Sequence, residues 1–405
     1  MEAAAKRSVV CVTGAGGFVA SWLVKLLLSK AHYTVRGTVR DPGNAKNAHL
    51  KALEGAGERL QLLSADLLDY DSIASAVAGC EGVFHVASPV PSGRSTNPEV
   101  IFPRTRRSYS PAVTGTLNVL KACNEAKVKR VVIVSSCAAV FNNPNWPKGK
   151  VFTEDSWSDE DLCRKGEDWY LLSKTRAERE AFAYAAKTGM DVVAILPSLV
   201  LGPLMQPTVN ASSKILVKYL KGEHETVENR FWNLVDVRDV ADALLLAYEN
   251  PEASGRYICS PVRIKVSDVI NILKTLYPTY TYPKKFTEVE EASASASIPA
   301  VCHSGGGGHP SPSPVAPTPT ANPHPPGRAP RRCFPVGPSS PTTAPRDNDA
   351  IPRSVTSSFR RIGEQPVVSG LGLSSCSGGS EASGPAPPVP VPVIVQPAAA
   401  APLAA

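Results

Sequence analysis

The chain has 405 residues, 43% of them hydrophobic and 20% charged, with nine cysteines and a formal net charge of +7. The cysteines are odd in number, scattered and without a C-x-x-C pair, which argues against a disulfide scaffold and gives no expectation of a metal site. The positive charge is diffuse apart from Arg104, Arg106 and Arg107, so no nucleic-acid partner is expected, and no apolar run predicts a membrane span.

No basic, apolar, small-residue leader precedes the first strand, and a cytoplasmic protein with reduced thiols is expected. Of the 38 prolines, 15 fall in residues 1–290 and 23 in residues 291–405. The second stretch is rich in Pro, Gly, Ser and Ala, has no sustained periodic pattern, and reads as a disordered tail. Residues 1–290 are expected to form the folded domain, with a substrate lobe mainly at 205–290.

Val9-Val10-Cys11-Val12 reads as a buried parallel strand, and Phe18 to Leu28 as an amphipathic helix. Between them lies the turn Thr13-Gly14-Ala15-Gly16-Gly17, which leads into Phe18 and Val19. Gly14 can turn with positive φ, and Gly17 lets the backbone approach a pyrophosphate seated on the free N–H groups of the helix N-terminus. The spacing is looser than G-x-G-x-x-G but predicts a dinucleotide site.

Thr34 to Val39 alternates like a second strand and ends at Arg40, followed by the turn Asp41-Pro42-Gly43. An arginine at this strand end can pair with the 2′-phosphate of NADP, so Arg40, helped by Lys46, predicts NADP(H). The competing reading is a solvated surface arginine. Leu60 to Leu63 is a third strand leading to Asp66 and Leu67, where the Asp66 carboxylate either accepts from the adenine amino group or caps the next helix.

Val83 to Ala87 is a fourth strand, and its end at Ala87-Ser88-Pro89 is expected to meet the cofactor. His85, flanked by apolar residues, reads as a packed core histidine. With a helix over Thr114 to Ala126 and a fifth strand over Val131 to Val134, the strand-helix-strand order repeats throughout. The expected fold class is α/β, a Rossmann-type doubly wound parallel sheet with right-handed crossovers.

The fifth strand runs into Ser135-Ser136, placing hydroxyls at the carboxyl edge of the sheet. Tyr170 and Lys174 stand four residues apart on a helix, share a face, and the ammonium is expected to lower the phenol's pKa. Tyr280 and Lys284 have the same spacing, but Pro283 disfavours a helix there. Cys137 lacks a neighbouring histidine base and reads as packing. Ala211 to Leu220, Asp239 to Tyr248 and a helix capped by Ser267 are expected in the substrate lobe, with Asp236, Arg238 and Asp239 bracing a helix start.

Several ordered motifs carry a family resemblance. They are Thr13 to Leu23, Val39 to Pro42, His85 to Pro89, Pro111 to Thr116, Asp168 to Lys174, Pro197 to Pro203 and Val235 to Ala241. Through them the chain from Val9 to about Glu290 resembles an extended short-chain dehydrogenase/reductase of the plant cinnamoyl-CoA reductase and dihydroflavonol reductase group.

The resemblance implies that Ser136 polarises the substrate carbonyl, Tyr170 donates the proton and Lys174 binds the nicotinamide ribose, with Pro197 to Leu199 bordering the nicotinamide. It implies NADPH-dependent reduction of a small-molecule substrate, a hydroxycinnamoyl-CoA thioester reduced to the aldehyde. The alternatives are a ketone or aldehyde of dihydroflavonol or polyketide type, or a cofactor-binding protein without turnover whose C-terminal lobe is incomplete. Cinnamoyl-CoA reductases carry Asn-Trp-Tyr-Cys-Tyr-Gly-Lys, whereas this chain has Asp168-Trp169-Tyr170-Leu171-Leu172-Ser173-Lys174. A histidine of theirs falls on Ile215, while Lys218 is retained.

Overall fold

The computed structural model describes residues 7–88, 111–147 and 149–289, all within one compact unit. The proline-rich tail, Pro89 and the stretch from Arg104 to Arg107 lie outside the described residues.

Seven strands build the main sheet: β1 (Ser8–Val12), β2 (Tyr33–Val39), β3 (Leu60–Ser64), β4 (Gly82–His85), β5 (Arg130–Val134), β6 (Val192–Pro197) and β10 (Gly255–Cys259). Their order is β10-β6-β5-β4-β1-β2-β3, and every pairing is parallel. The chain winds outward from β1 in one direction and from β4 in the other. The carboxyl ends of these two strands therefore flank a topological switch point, where open parallel sheets form a ligand crevice.

The helices are α1 (Phe18–Ser29), α2 (Ala48–Lys51), α3 (Ala56–Arg59), α4 (Tyr70–Val77), α5 (Pro111–Glu125), α6 (Glu160–Lys165), α7 (Trp169–Thr188), α8 (Ala211–Leu220), α9 (Val237–Glu249) and α10 (Val266–Leu276). Both faces of the sheet are covered, which is why β1 reads as an unbroken apolar run. Val10 and Val12 pack on one side with Leu23 and Leu27 of α1 and Leu244 of α9. Cys11 packs on the other with Leu120 and Cys123 of α5 and Ala181 of α7.

A smaller lobe carries β7 (Leu199–Leu201), β9 (Phe231–Asp236) and β11 (Val262–Lys265), ordered β11-β9-β7, together with a parallel pair of β8 (Thr226–Asn229) and β12 (Lys285–Glu288). Its core gathers Leu220 of α8, Trp232 and Leu234 of β9, and Ile270 and Leu273 of α10. Trp22 Nε1 on α1 donates to the Pro203 carbonyl at 2.8 Å and ties the first helix to the loop after β7.

Three expectations are corrected. The helix over Asp239 to Tyr248 belongs to the main core: Val240, Ala241 and Leu244 of α9 pack with α1 and the sheet rather than with the lobe. Ser267 does not cap α10, which starts at Val266. Asn229 of the neighbouring β8 accepts the Ser267 N–H at 3.0 Å, so a tertiary acceptor replaces a local cap. The fourth strand stops at His85 because the Val86 and Ala87 N–H groups turn onto the Thr13 hydroxyl, at 3.1 and 3.0 Å, and leave the ladder.

Asp236 does cap α9, accepting the Arg238 N–H at 2.8 Å and two guanidinium contacts at 2.8 and 2.7 Å. Residues Tyr280 to Lys284 form no helix, in keeping with Pro283. Among the described residues no helix is long and apolar enough to cross a membrane.

Candidate active site

The turn after β1 is built from backbone. Gly14 has φ +65°, in the left-handed region that favours glycine, and its N–H donates to Thr38 Oγ1 at 3.1 Å. A Cβ on Gly14 would stand 2.9 Å from the Ala87 Cβ, and one on Gly16 would stand 2.8 Å from Asn47 Oδ1. Gly17 precedes α1 and no side chain caps the helix, so its first-turn N–H groups face the crevice unshielded. Phe18 packs with Leu204 and Val237, with Val19 beside it, anchoring the helix start.

Thr13 is fully buried at the centre of this turn. Its hydroxyl accepts from the Val86 and Ala87 N–H groups and lies 3.0 Å from His85 Nδ1, while His85 Nε2 lies 3.1 Å from Thr116 Oγ1 of α5. His85 thus joins the carboxyl ends of β1 and β4 to α5. Burial, with a smaller push from the Lys174 ammonium, holds its pKa down to about 3. This neutral, doubly hydrogen-bonded ring is the core histidine expected.

Arg40 and Lys46 are both exposed beyond β2. Asn47, next after Lys46, is buried and its amide donates to the Asp41 carbonyl at 2.7 Å, pinning the turn that follows Arg40. Asp66 is exposed after β3 and accepts the Leu68 N–H at 2.9 Å. Its alternative reading as a helix cap is overturned, because Asp69 caps α4 through the Ser72 N–H. Leu67 lies against α5, where a Cβ on Gly115 would stand 2.8 Å from its own.

Beyond β5, Ser135 remains in register, donating its N–H to the Ile195 carbonyl at 2.9 Å. Ser136 caps a short 3₁₀ turn over Cys137–Ala139, accepting the Ala138 N–H at 3.2 Å. Tyr170, Lys174 and Glu178 occupy successive turns of α7 and share one face. Lys174 is buried, with Nζ donating to the Val134 carbonyl at 3.2 Å.

The expected pKa ordering at this pair is reversed. Burial raises the Tyr170 phenol above its usual value, and a hydrogen bond from Ser136 only partly opposes the rise. Burial pulls Lys174 down to about 8, opposed by the Glu178 charge. Spacing along a helix reveals proximity but not the solvent lost by both groups, and desolvation dominates here.

Lys174, Ser135, Ala87, Ser88, His85 and Thr116 line one small cleft at the carboxyl edge. Pro197 ends β6 opposite Cys259 in β10, and Leu199 opens β7 and packs against the lobe core. The Cys137 thiol is buried and donates to the Leu196 carbonyl at 3.1 Å, with its pKa pushed up by desolvation, consistent with a packing role.

Sequence reasoning missed Asn47, Glu178 and Arg256. Glu178 Oε2 accepts the Ser135 hydroxyl at 2.5 Å, and Arg256 Nε of β10 donates to Glu178 Oε1 at 2.5 Å. A glutamate four residues after Lys174, on the same helix face, is the local signal for Glu178. Arg256 lies 78 residues further along and becomes a neighbour only through the strand order.

A parallel sheet with a glycine turn at its switch point, and a Ser136, Tyr170, Lys174 cluster at the same edge, define an NAD(P)-dependent oxidoreductase of the extended short-chain dehydrogenase/reductase class. Residues 10–259 match the NAD dependent epimerase/dehydratase family, and the chain belongs to that family as a cinnamoyl-CoA reductase-like member. It is 51% identical over 281 residues to cinnamoyl-CoA reductase 1 of Petunia hybrida, covering 69% of this chain and 81% of that protein.

Among solved structures, vestitone reductase from alfalfa (Medicago sativa L.) is similar at 34% identity and a TM-score of 0.58, covering 68% of this chain and 84% of that one. Yeast methylglyoxal/isovaleraldehyde reductase Gre2, complexed with NADPH, is similar at 28% identity and a TM-score of 0.59, covering 70% and 91% respectively.

Proposed function

We propose that this protein is an NADPH-dependent reductase of a hydroxycinnamoyl-CoA thioester, forming the aldehyde. The observation that carries the reading is the joint placement of the glycine turn and the Tyr170–Lys174 face of α7 at one carboxyl edge of the sheet. The residues fit a dinucleotide: a Cβ at Gly14 would collide with Ala87 and one at Gly16 with Asn47, so only glycine lets the turn close this tightly, and the uncapped start of α1 favours a pyrophosphate. Arg40 and Lys46 supply the cations for a 2′-phosphate, with Asp66 and Leu67 at the adenine end.

Bound NADPH supplies the hydride for the carbonyl carbon. A phenol held above its ordinary pKa stays protonated, so Tyr170 can hand a proton to the developing oxyanion. Ser136 donates to the same oxygen and helps hold its charge. This gives a hemithioacetal whose C–S bond then breaks to release the aldehyde and free coenzyme A thiol, the hydroxyl proton passing to the sulfur. Lys174, with a pKa near 8, is mostly an ammonium at neutrality and holds the nicotinamide ribose hydroxyls through charge-assisted bonds. Ala87 and Ser88 would meet the bound cofactor, and Pro197 and Leu199 would border its nicotinamide.

A second reading, reduction of a ketone or aldehyde, is favoured by Ile215, which stands where cinnamoyl-CoA reductases have a histidine and packs against the lobe core. The likeness to vestitone reductase points the same way. The test follows NADPH absorbance when purified protein meets feruloyl-CoA, with NADH as the control. NADPH-selective loss supports the thioester reading. No loss with the thioester, together with loss on a dihydroflavonol or simple aldehyde, replaces it with the second.

A further inference from the structure

We propose that Glu178 is a positioning residue for the reduction: its carboxylate fixes Ser135 at the cleft and keeps a negative charge beside the Lys174 ammonium. The inference rests on the reading that Lys174 holds the cofactor ribose.

The geometry assigns each carboxylate oxygen one donor. Oε2 takes the Ser135 hydroxyl and Oε1 takes Arg256 Nε, both at 2.5 Å. Arg256 is itself immobilised, donating to the Ser156 carbonyl at 2.7 Å and to the Glu154 carbonyl, with the Trp157 ring 3.6 Å from its guanidinium carbon. Glu178 is 1% exposed, yet it borders the same cleft as Lys174 and Ser135. A carboxylate this buried costs several kcal/mol to desolvate unless it is fully hydrogen-bonded, and such a group on the cleft wall acts on whatever charge stands beside it.

That charge is Lys174, one turn earlier on α7. Among the described residues, the titratable or charged groups around this corner include Tyr170 and Glu178 from α7, His85 from β4, Cys137 from the 3₁₀ turn, Arg256 from β10 and Glu154, whose carboxylate accepts the Ile258 N–H at 3.1 Å and bears on Cys137. His85 is held neutral, and the Tyr170 phenol and Cys137 thiol stay protonated, so none supplies a negative charge. Glu178 is the carboxylate that opposes the loss of the Lys174 proton. Burial pushes the Glu178 carboxyl above its usual range, and the Arg256 ion pair and the Ser135 hydroxyl oppose that rise by favouring the carboxylate. The alternative is a purely architectural ion pair joining α7 to β10.

The test reads NADPH affinity of the full chain, by fluorescence titration, from about pH 6.5 to about pH 9.5, which spans the lowered lysine pKa. Wild-type binding is expected to weaken above about pH 8 as Lys174 loses its proton. Removing Glu178 alone strands the Arg256 charge and invites misfolding, so the informative variant is Glu178→Met with Arg256→Met, an apolar pair of similar volume that buried ion pairs commonly tolerate. Its break is expected about one pH unit lower, a tenfold change in the proton equilibrium, with thermal unfolding close to wild type. Glu178→Asp, which keeps the charge, restores the wild-type break.

A folded double variant with the wild-type break overturns the proposal and leaves only the architectural role. A second measurement needs no variant: if ¹³C NMR of the wild-type carboxylates shows Glu178 already protonated at pH 7, the proposal fails. Binding is read without turnover, so a protein that shows the expected break but reduces no carbonyl fails the proposed function alone.

Discussion

The Cβ of Ala87 occupies the space that a side chain on Gly14 would need: a Cβ built on Gly14 falls 2.9 Å from it, and 3.1 Å from the Ala87 Cα. Gly14 also has φ +65°. Gly14→Ala therefore carries two penalties, about 1 kcal/mol for the left-handed backbone and about 1–3 kcal/mol for overpacking against a main-chain neighbour. The expected outcome is a melting temperature several degrees lower and at least a tenfold loss of NADPH affinity. Wild-type affinity in this variant would reject the turn as the pyrophosphate cradle.

Arg40 and Lys46 are exposed, so removing either leaves the core intact. A charge-assisted contact to a phosphate is worth about 1.5–3 kcal/mol, or about tenfold to a hundredfold in affinity. Arg40→Ala is expected to lower kcat/KM for NADPH by such a factor while leaving the value for NADH within about twofold. Equal losses with both cofactors would return Arg40 to the status of a solvated surface residue.

Much of the nucleotide-binding half is legible in the sequence, for a physical reason. Strands buried on both faces read as continuous apolar runs, and the glycine turn between Val12 and Phe18 is a local constraint on backbone shape. The Tyr170–Lys174 face was legible because i and i+4 are neighbours on any helix. What lay hidden depends on partners distant in sequence. The apolar face of α9 is visible as a pattern, but the pattern does not say that it covers the main sheet rather than the lobe. The cap on α10 comes from Asn229, and the counter-ion of Glu178 comes from β10, neither of which spacing reveals. The raised pKa of Tyr170 belongs here too, since desolvation follows from the assembled site.

Tyr170→Phe keeps the ring and its packing and removes only the phenolic hydroxyl. General acid catalysis contributes about 10²–10⁴ in rate, so kcat is expected to fall by that factor while NADPH affinity stays within about twofold. Full turnover in this variant would eliminate the proton-donor role. Ser136→Ala, which leaves Tyr170 in place, is expected to fall less steeply, because the group that transfers the proton remains and only a supporting hydrogen bond is lost.

His85 provides an acid-stability prediction. Its pKa is near 3 in the folded chain, below the ordinary value of 6.5, because the ring is buried between Thr13 and Thr116. The unfolded state therefore takes up a proton first as pH falls, so the contribution is fully present above about pH 6.5 and is lost progressively toward about pH 3. The loss amounts to about 1.4 kcal/mol per pH unit over that window. His85→Gln removes the titrating group while keeping an amide able to reach both hydroxyls. Its unfolding free energy, measured by urea denaturation at pH 7 and pH 5, is expected to fall less with acid than that of the wild type. Equal falls would mean that the acid sensitivity resides in other groups and that His85 is protonated without cost.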